Sequence, residues 1–406
     1  MKIYKDLIAV ILAGGIGSRS AIFNGKNPKP LTPFFGFCPL DLIVTLLLQC
    51  DHIKDISIML EYMANHMNYY IQDTYRHVNI NKPVLPIFSE EGLNGGTLGA
   101  LANYLKFYRS TIDDEQDILI LSGDHIHGLD FTDMILRHRE NCSDITIATR
   151  QIPSKDAYQF GVLETNNQNE VLSFVEKPQV TPTTPKSTIN LGIFIIKAKS
   201  LRELLTYNLD LDFSRHAIPK AVSLPSMKVS AFPFEGSWAD VGTPLGYYQT
   251  IMDNDNILKD VQALVKDGMI SKHSDFWPQR TQNTQILGSH TKYHGSSTFQ
   301  NAIIKDSVIH KGCCVIDSEV QDCVLMPGSI VINGSKLKQT LVGVDSVASG
   351  IELNMNTPRT KGKISPLFFD NEGNLFPFIN DINIIPAYWN NTKSKYQEIK
   401  NKYLAF

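Results

Sequence analysis

No apolar run in the chain approaches the roughly 20 residues a membrane-spanning helix needs. Met1 to Asp6 lead straight into the first apolar stretch without a signal-peptide pattern, so the sequence reads as cytoplasmic. Cysteine is sparse: Cys38, Cys50, Cys142, Cys313, Cys314 and Cys323 are scattered, with no Cys-x-x-Cys pair. That spacing argues against a zinc site built on paired thiolates and fits reduced, mostly buried thiols. Excess charge of either sign is also missing. The 38 Lys and Arg stand against 41 Asp and Glu, a formal net charge of −3, so no basic field argues for nucleic acid or an anionic membrane. What remains is 43% hydrophobic and 19% charged over 406 residues, a globular composition with length enough for two domains.

The stretch with most chemistry in it is Ile8 to Arg19. Six apolar residues, Ile8 to Ala13, are too few for a helix and read as a buried strand, broken at once by Gly14, Gly15 and Gly17. Glycines without Cβ let backbone N–H groups converge on an anion, Arg19 adds a forked cation, and Lys29 adds another ten residues on. The bland alternative is a glycine turn beside a surface arginine. No Gly-Lys-Ser/Thr follows, and Ser20 stands where a dinucleotide-binding loop needs its third glycine, so neither of those two phosphate motifs applies.

From residue 1 to about 258 short apolar strands alternate with helical stretches, which predicts an α/β domain with a mainly parallel sheet. Strands are expected at 7–12, 56–60, 84–87, 118–122, 145–148 and 193–196, and helices include 40–50, 97–108 and 131–141. In such sheets ligands sit beyond the carboxyl ends of the strands. Gly96 and Thr97 open a helix after the third strand, where Thr97 can cap it. Asp124 follows Ile118-Leu-Ile-Leu-Ser-Gly, and a carboxylate at a strand end needs a cation or hydrogen bonds; a simple turn cap is the alternative. His125 and His127 lack partners at ligand spacing and read as packing residues or as supports behind the ligands. Glu176-Lys177 before Pro178 could be a solvated strand end. Asp240 precedes a helix with Thr243 as N-cap and Pro244 at its first position.

Beyond a linker at 259–283 the pattern changes. Apolar pairs recur every five or six residues from Ile303-Ile304 to Leu341-Val342, punctuated by Gly312, Gly328, Gly334 and Gly343. This resembles the hexapeptide repeat of a left-handed parallel β-helix over 284–406, with an antiparallel meander as the alternative. The tail from Ser365, with Trp389, is too apolar for disorder and is expected to cap the coil or cover a neighbour.

Leu12-Ala-Gly-Gly-x-Gly-x-Arg19 followed by Pro28-Lys29-Pro30 resembles the signature of the sugar-1-phosphate nucleotidylyltransferases. The resemblance extends through Gly96-Thr97-Leu-Gly, Ser122-Gly-Asp124-His-Ile, Phe174-Val-Glu176-Lys177-Pro and Trp238-Ala-Asp240-Val-Gly-Thr, about residues 7 to 350. It implies a Rossmann-like nucleotidyltransferase domain over 1–258, a nucleoside triphosphate and a sugar 1-phosphate as substrates, and a homo-oligomer, dimer or tetramer. It implies nucleotide contacts from Leu12, Ala13, Gly14, Gly15, Gly17, Arg19, Gly96 and Thr97. Arg19 and Lys29 would neutralise phosphate charge, Gly161, Glu176, Lys177 and Asn190 would hold the sugar phosphate, and Asp124 and Asp240 would bind Mg²⁺.

Within the family the segments look most like the ADP-glucose pyrophosphorylases, which implies ATP and glucose 1-phosphate. Pro28-Lys-Pro-Leu-Thr-Pro33 and Asp240-Val-Gly-Thr-Pro-x-x-Tyr247 look as much like the GTP-dependent mannose-1-phosphate guanylyltransferases. The departures are Ser20 after Arg19, Glu61 in place of a glutamine, and Phe37-Cys-Pro39 in place of a Lys and Arg segment. Such departures would also suit a non-catalytic regulatory subunit, and an acyltransferase using His290, His294 or His310 of the coil is a further alternative.

Overall fold

The computed structural model describes residues 7–15, 17–25, 27–76, 82–88, 96–110, 112–179, 184–207, 212–253, 257, 284–288, 290–353, 382–385 and 387. The expected linker lies outside the described residues, as do Gly95, Trp389 and most of the tail. The chain divides into two compact units: Met1–Gly15 with Ile43–Trp238, and Ile16–Leu42 with Ala239–Phe406. The segment 16–42 therefore groups with the second unit. Among the described residues no helix is long and apolar enough to cross a membrane.

The first unit is built on β1 (Leu7–Leu12), β2 (Ile53–Leu60), β3 (Val84–Phe88) and β4 (Asp117–Ser122), followed by the short β5 (His125–His127). Next come β6 (Ile145–Pro153), β7 (Gly161–Thr165), β8 (Val171–Glu176), β9 (Lys186–Lys197) and β10 (Val229–Pro233). Nine of these form one sheet in the order β10-β6-β9-β4-β1-β2-β3, with β7 also pairing β9 and β8 pairing β7. An all-apolar strand such as β1 is stable only with both faces covered, and it lies inside the sheet between β2 and β4.

The sheet is mainly parallel, with β9 antiparallel to both β4 and β6. This reversal matters for function. Leu12 of β1 pairs with Met59 of β2 and Ser122 of β4, so three carboxyl ends share one sheet edge. Because β9 runs the other way, Ile193 pairs with Leu121, which brings Leu191 and Gly192 to that edge too. The expected helix 97–108 is Gly96–Asn103, continued by a π turn at Tyr104–Tyr108. Buried Tyr104 anchors that turn through Ser57 Oγ at 3.0 Å and Arg109 Nε at 2.9 Å.

In the second unit, among the described residues, fourteen short strands between Gln285 and Ile385 make three parallel sheets, and successive strands up to Glu352–Leu353 visit the three in rotation. Ile303 pairs with Glu319, Val308 with Val324 and Cys314 with Ile330, each sixteen positions on. All of these pairings are parallel, which excludes the antiparallel meander. One residue per strand points inward, and Ile304, Ile309, Val315, Val320, Leu325 and Val331 form a continuous apolar core. The coil must turn a corner every five or six residues, and the corners take left-handed backbone: Asp306, Asp317, Asp322, Asn333 and Asp345 have positive φ, as do Gly312, Gly328 and Gly334. Asn, Asp and Gly are the residues that enter that region at least cost. From the tail, Asn383–Ile385 adds a strand beside Thr340–Val342.

The segment 16–42 is joined to this coil within the second unit. Val344 N–H donates to Phe23 O at 2.9 Å, and the Phe23 ring packs 4.8 Å from Tyr247 in the helix Pro244–Asp253. Tyr248 of the same helix donates to Asp322 O at 2.6 Å.

Candidate active site

In the first unit the glycine loop leaves β1 and is tied to its neighbours. Ala13 N–H donates to Met59 O at 3.1 Å, Tyr62 N–H to Gly14 O at 3.2 Å, and Gly123 N–H to Leu12 O at 3.0 Å. A Cβ at Gly14 would stand 2.9 Å from Glu61 Cβ, so only glycine fits there, while around Gly15 the space is open. Gly123 is also tightly placed, since a Cβ there would stand 3.1 Å from both Leu12 O and Ile11 Cγ2. The glycine loop and Asp124 thus leave the carboxyl ends of adjacent parallel strands.

Asp124 is partly buried and accepts from Ser122 Oγ through Oδ1, with His125 Nε2 at 3.5 Å. His125 Nδ1 lies 3.0 Å from Leu191 O, and since a carbonyl only accepts, that nitrogen carries a proton. His127 is fully buried against Phe131, where burial holds its ring neutral with a pKa lowered to about 3. His127 packs, and His125 both packs and stands behind Asp124, the two readings the sequence left open.

The sugar-phosphate candidates gather at the β7–β8 end. A Cβ at Gly161 would strike the Phe174 ring at 2.5 Å and Glu176 Oε2 at 2.7 Å. Burial raises the Glu176 carboxyl above the ordinary glutamate range, and the Lys177 ammonium pulls it back. Lys177 Nζ stands 3.7 Å from Glu176 Oε1. Lys177 itself has φ of 49°, a costly conformation for a long side chain, held by its N–H donating to Phe160 O at 3.0 Å. Asn190 is buried, and its Oδ1 accepts from Gly192 N–H at 2.8 Å, which shapes the strand where Gly192 turns left-handed beside His125.

Thr97 does not cap its helix. Its Oγ1 accepts from Phe213 N–H at 2.8 Å and so braces the helix start against the turn that carries Asp212 and Arg215, both of which act electrostatically on Glu176. Gly96 begins the helix with φ of 82°.

Three functional candidates escaped the sequence reading. Glu61 follows β2 as Asp124 follows β4, and the strand-end rule could have flagged it. Trp238 packs edge-on against His125 at 5.3 Å and Phe160 at 5.6 Å, and its buried indole N–H has no partner among the described residues. The third is the Asp212–Arg215 turn, whose separation from Glu176 in sequence conceals their proximity.

In the second unit Lys29, Gly17, Asp240 and Gly242 come together. Lys29 opens a short 3-10 turn, Lys29–Leu31, closed by Thr32, whose N–H and Oγ donate to Lys29 O at 3.1 and 2.8 Å. Its side chain runs between two glycines: a Cβ at Gly17 would meet Lys29 Cβ at 3.0 Å, and one at Gly242 would meet Nζ at 2.1 Å. Lys29 Nζ pairs with Asp240 Oδ1 at 3.8 Å, and the same oxygen accepts from Gly242 N–H at 2.8 Å. Thr243 caps the following helix as expected, accepting from Gly246 N–H at 3.1 Å. Arg19 lies in the first turn of the helix Ser18–Asn24.

Residues 8–256 match the family model described as Nucleotidyl transferase. The chain is 31% identical over 346 residues to a glucose-1-phosphate adenylyltransferase of Clostridium novyi, covering 80% of this chain and 82% of the relative. It is 29% identical over 379 residues to a protein of that name from Bacillus cytotoxicus, with 89% and 92% covered. A glucose-1-phosphate adenylyltransferase 2 of Vibrio parahaemolyticus is 30% identical, with 81% and 85% covered.

Proposed function

The chain belongs to the nucleotidyl transferase family, and from that premise we propose that it joins ATP to glucose 1-phosphate, giving ADP-glucose and pyrophosphate. The observation that supports this is the register that sets Leu12 opposite Ser122 and ties Gly123 N–H to Leu12 O, so that the glycine loop and Asp124 leave the carboxyl ends of adjacent strands β1 and β4. The relatives' names supply the adenylate and the glucose 1-phosphate.

The sugar phosphate oxygen attacks the α-phosphorus in line and pyrophosphate leaves. That nucleophile is already an anion, so positioning and charge neutralisation suffice. Arg19 neutralises the departing pyrophosphate, Lys29 the α-phosphate and Lys177 the incoming sugar phosphate. Glu176 accepts from sugar hydroxyls, with Gly161 and Asn190 shaping the same pocket and Gly96, Thr97 and the glycine loop holding the nucleotide.

Asp124 and Asp240 are the residues that would hold Mg²⁺. Both are partly buried carboxylates whose oxygens suit a hard cation. Among the described residues no group of three or more His, Cys, Asp or Glu forms a ready metal cage. When bound, the ion supplies charge neutralisation at those phosphates.

The coil is best described as a left-handed parallel β-helix, supported by its three-sided parallel course and left-handed Asp and Asn corners, and a homo-oligomer is its expected setting. The departure at Ser20 does not weaken the case for catalysis. Buried Ser20 donates to Gly17 O at 2.8 Å and so closes the glycine loop onto its helix.

The test is pyrophosphate release with Mg²⁺ over a matrix of ATP, GTP, CTP, UTP and dTTP against glucose 1-phosphate and mannose 1-phosphate. Release with ATP and glucose 1-phosphate above all other pairs is expected. A GTP and mannose 1-phosphate optimum would overturn the substrates, and silence across the matrix would overturn the reaction.

A further inference from the structure

The second unit contains a buried polar chain that the reaction does not use directly. The Tyr247 hydroxyl lies 2.6 Å from Pro33 O and 3.1 Å from His310 Nε2. A carbonyl can only accept, so the phenol's single proton goes to Pro33, and the phenol oxygen then accepts N–H from His310. This assigns the His310 tautomer. Tyr247 is 0% and His310 1% exposed, and burial holds the ring neutral, its pKa lowered to about 3.

Both ends of the chain are anchored. His310 belongs to the coil: its N–H donates to Leu325 O at 2.9 Å and its carbonyl accepts from Ser297 Oγ at 2.9 Å. Pro33 ends the segment that begins at Lys29, and Asn24 Nδ2 donating to Thr32 Oγ1 at 3.0 Å stiffens it. Tyr247 stands one turn into the helix that Asp240 and Thr243 introduce, with its N–H donating to Thr243 O at 2.9 Å. An apolar side chain could fill the same volume without the desolvation cost of a buried phenol and imidazole. What the polar chain adds is direction, because a hydrogen bond fixes where the Pro33 carbonyl points and packing alone does not. A general-base role for His310 in acyl transfer would need an accessible ring, and this one is enclosed and committed to Tyr247.

We propose that Tyr247 and His310 are positioning residues for Lys29, through which the coil sets where the ammonium stands relative to Asp240. The kinetic part of the proposal rests on the nucleotidylyl-transfer function above.

The experiment uses full-length Tyr247→Phe, His310→Leu and His310→Gln, each also combined with Lys29→Met, with pyrophosphate release, thermal melting and amide exchange as readouts. Loss of one orienting hydrogen bond should lower kcat about tenfold in Tyr247→Phe and His310→Leu, with KM values within about twofold of wild type. His310→Gln restores an N–H donor and should recover most of that loss. With Lys29→Met already present, Tyr247→Phe should cost less than about twofold, because the residue it positions is gone. An equal loss in both backgrounds, or full activity of His310→Leu, would overturn the proposal. Exchange separates this from failure of the function itself. The Leu31 and Thr32 amides close the Lys29 turn and should exchange about tenfold faster in Tyr247→Phe whatever the enzyme turns over. Unchanged exchange would overturn the positioning role even in a fully active enzyme.

Discussion

Gly242 has no side chain where Lys29 needs the space. A Cβ there would stand 2.1 Å from Lys29 Nζ, 2.2 Å from Cε and 2.8 Å from Asp240 Oδ1. Ordinary contact is about 3.5–4.0 Å, so Gly242→Ala must push the ammonium back by roughly 1.5 Å. The colliding atoms are mostly the end of a flexible side chain, and residue 242 lies outside the left-handed region, so alanine adds no backbone strain. The fold should lose less than about 1 kcal/mol. Catalysis should suffer far more, since a displacement of about 1 Å in a positioned group can cost about 100-fold. Steady-state pyrophosphate release should therefore show kcat down about 100-fold, with the glucose 1-phosphate KM within about twofold. In a Lys29→Met background the same substitution should add almost nothing. Gly242→Ala with wild-type kcat and an unchanged melt would refute the assignment of Lys29 to the reacting phosphate.

Three further outcomes are expected. Glu61 is an exposed carboxylate beside Gly14; a like charge near a polyphosphate costs about 1 kcal/mol in watery surroundings, so Glu61→Gln should lower the nucleotide KM about fivefold at low salt and less at high salt. An unchanged KM would mean that Glu61 faces away from the nucleotide. Glu176, raised by burial, protonates at a higher pH than a free glutamate. The sugar phosphate KM should rise as pH falls through that raised value, and Glu176→Gln should abolish this limb of the profile. His127 is held neutral, its pKa lowered from 6.5 to about 3. A depressed folded pKa gives stability that is full above 6.5 and lost as pH falls towards 3, about 2 kcal/mol at pH 5. Melting at pH 7.5 and 5.0 should show a smaller acid loss in His127→Leu than in wild type; an equal loss would contradict the burial assignment.

Much of the first unit was legible because its signals are local. β1 announces itself by six apolar residues cut off by glycines, and β4 by an apolar run ending in Ser-Gly-Asp. From those two strands the placing of the glycine loop and Asp124 at adjacent strand ends follows. The hairpin of β7 and β8 mixes buried and exposed positions without strict alternation, so periodicity overlooked it. Three corner residues of the coil were visible as glycines, but its Asp corners look like ordinary surface charge until their positive φ is seen. The Tyr104 π turn depends on Ser57 and Arg109, which no window around Tyr104 contains together. Least legible was the grouping of 16–42 with the coil. Pro33 with Tyr247 and Phe23 with Val344 are contacts across hundreds of positions, and they leave no trace in local pattern. The same holds for Gly242, which reads as a turn glycine until Lys29 is found lying across it.

The most direct test of nucleotidylyl transfer is the reverse reaction: formation of labelled ATP from ADP-glucose and labelled pyrophosphate, in the wild-type protein and in Asp124→Asn. Label should enter ATP with the wild type, and Asp124→Asn, folded to the same melting point, should show no exchange above background. Exchange in Asp124→Asn at the wild-type rate, or none in the wild type, would contradict the account.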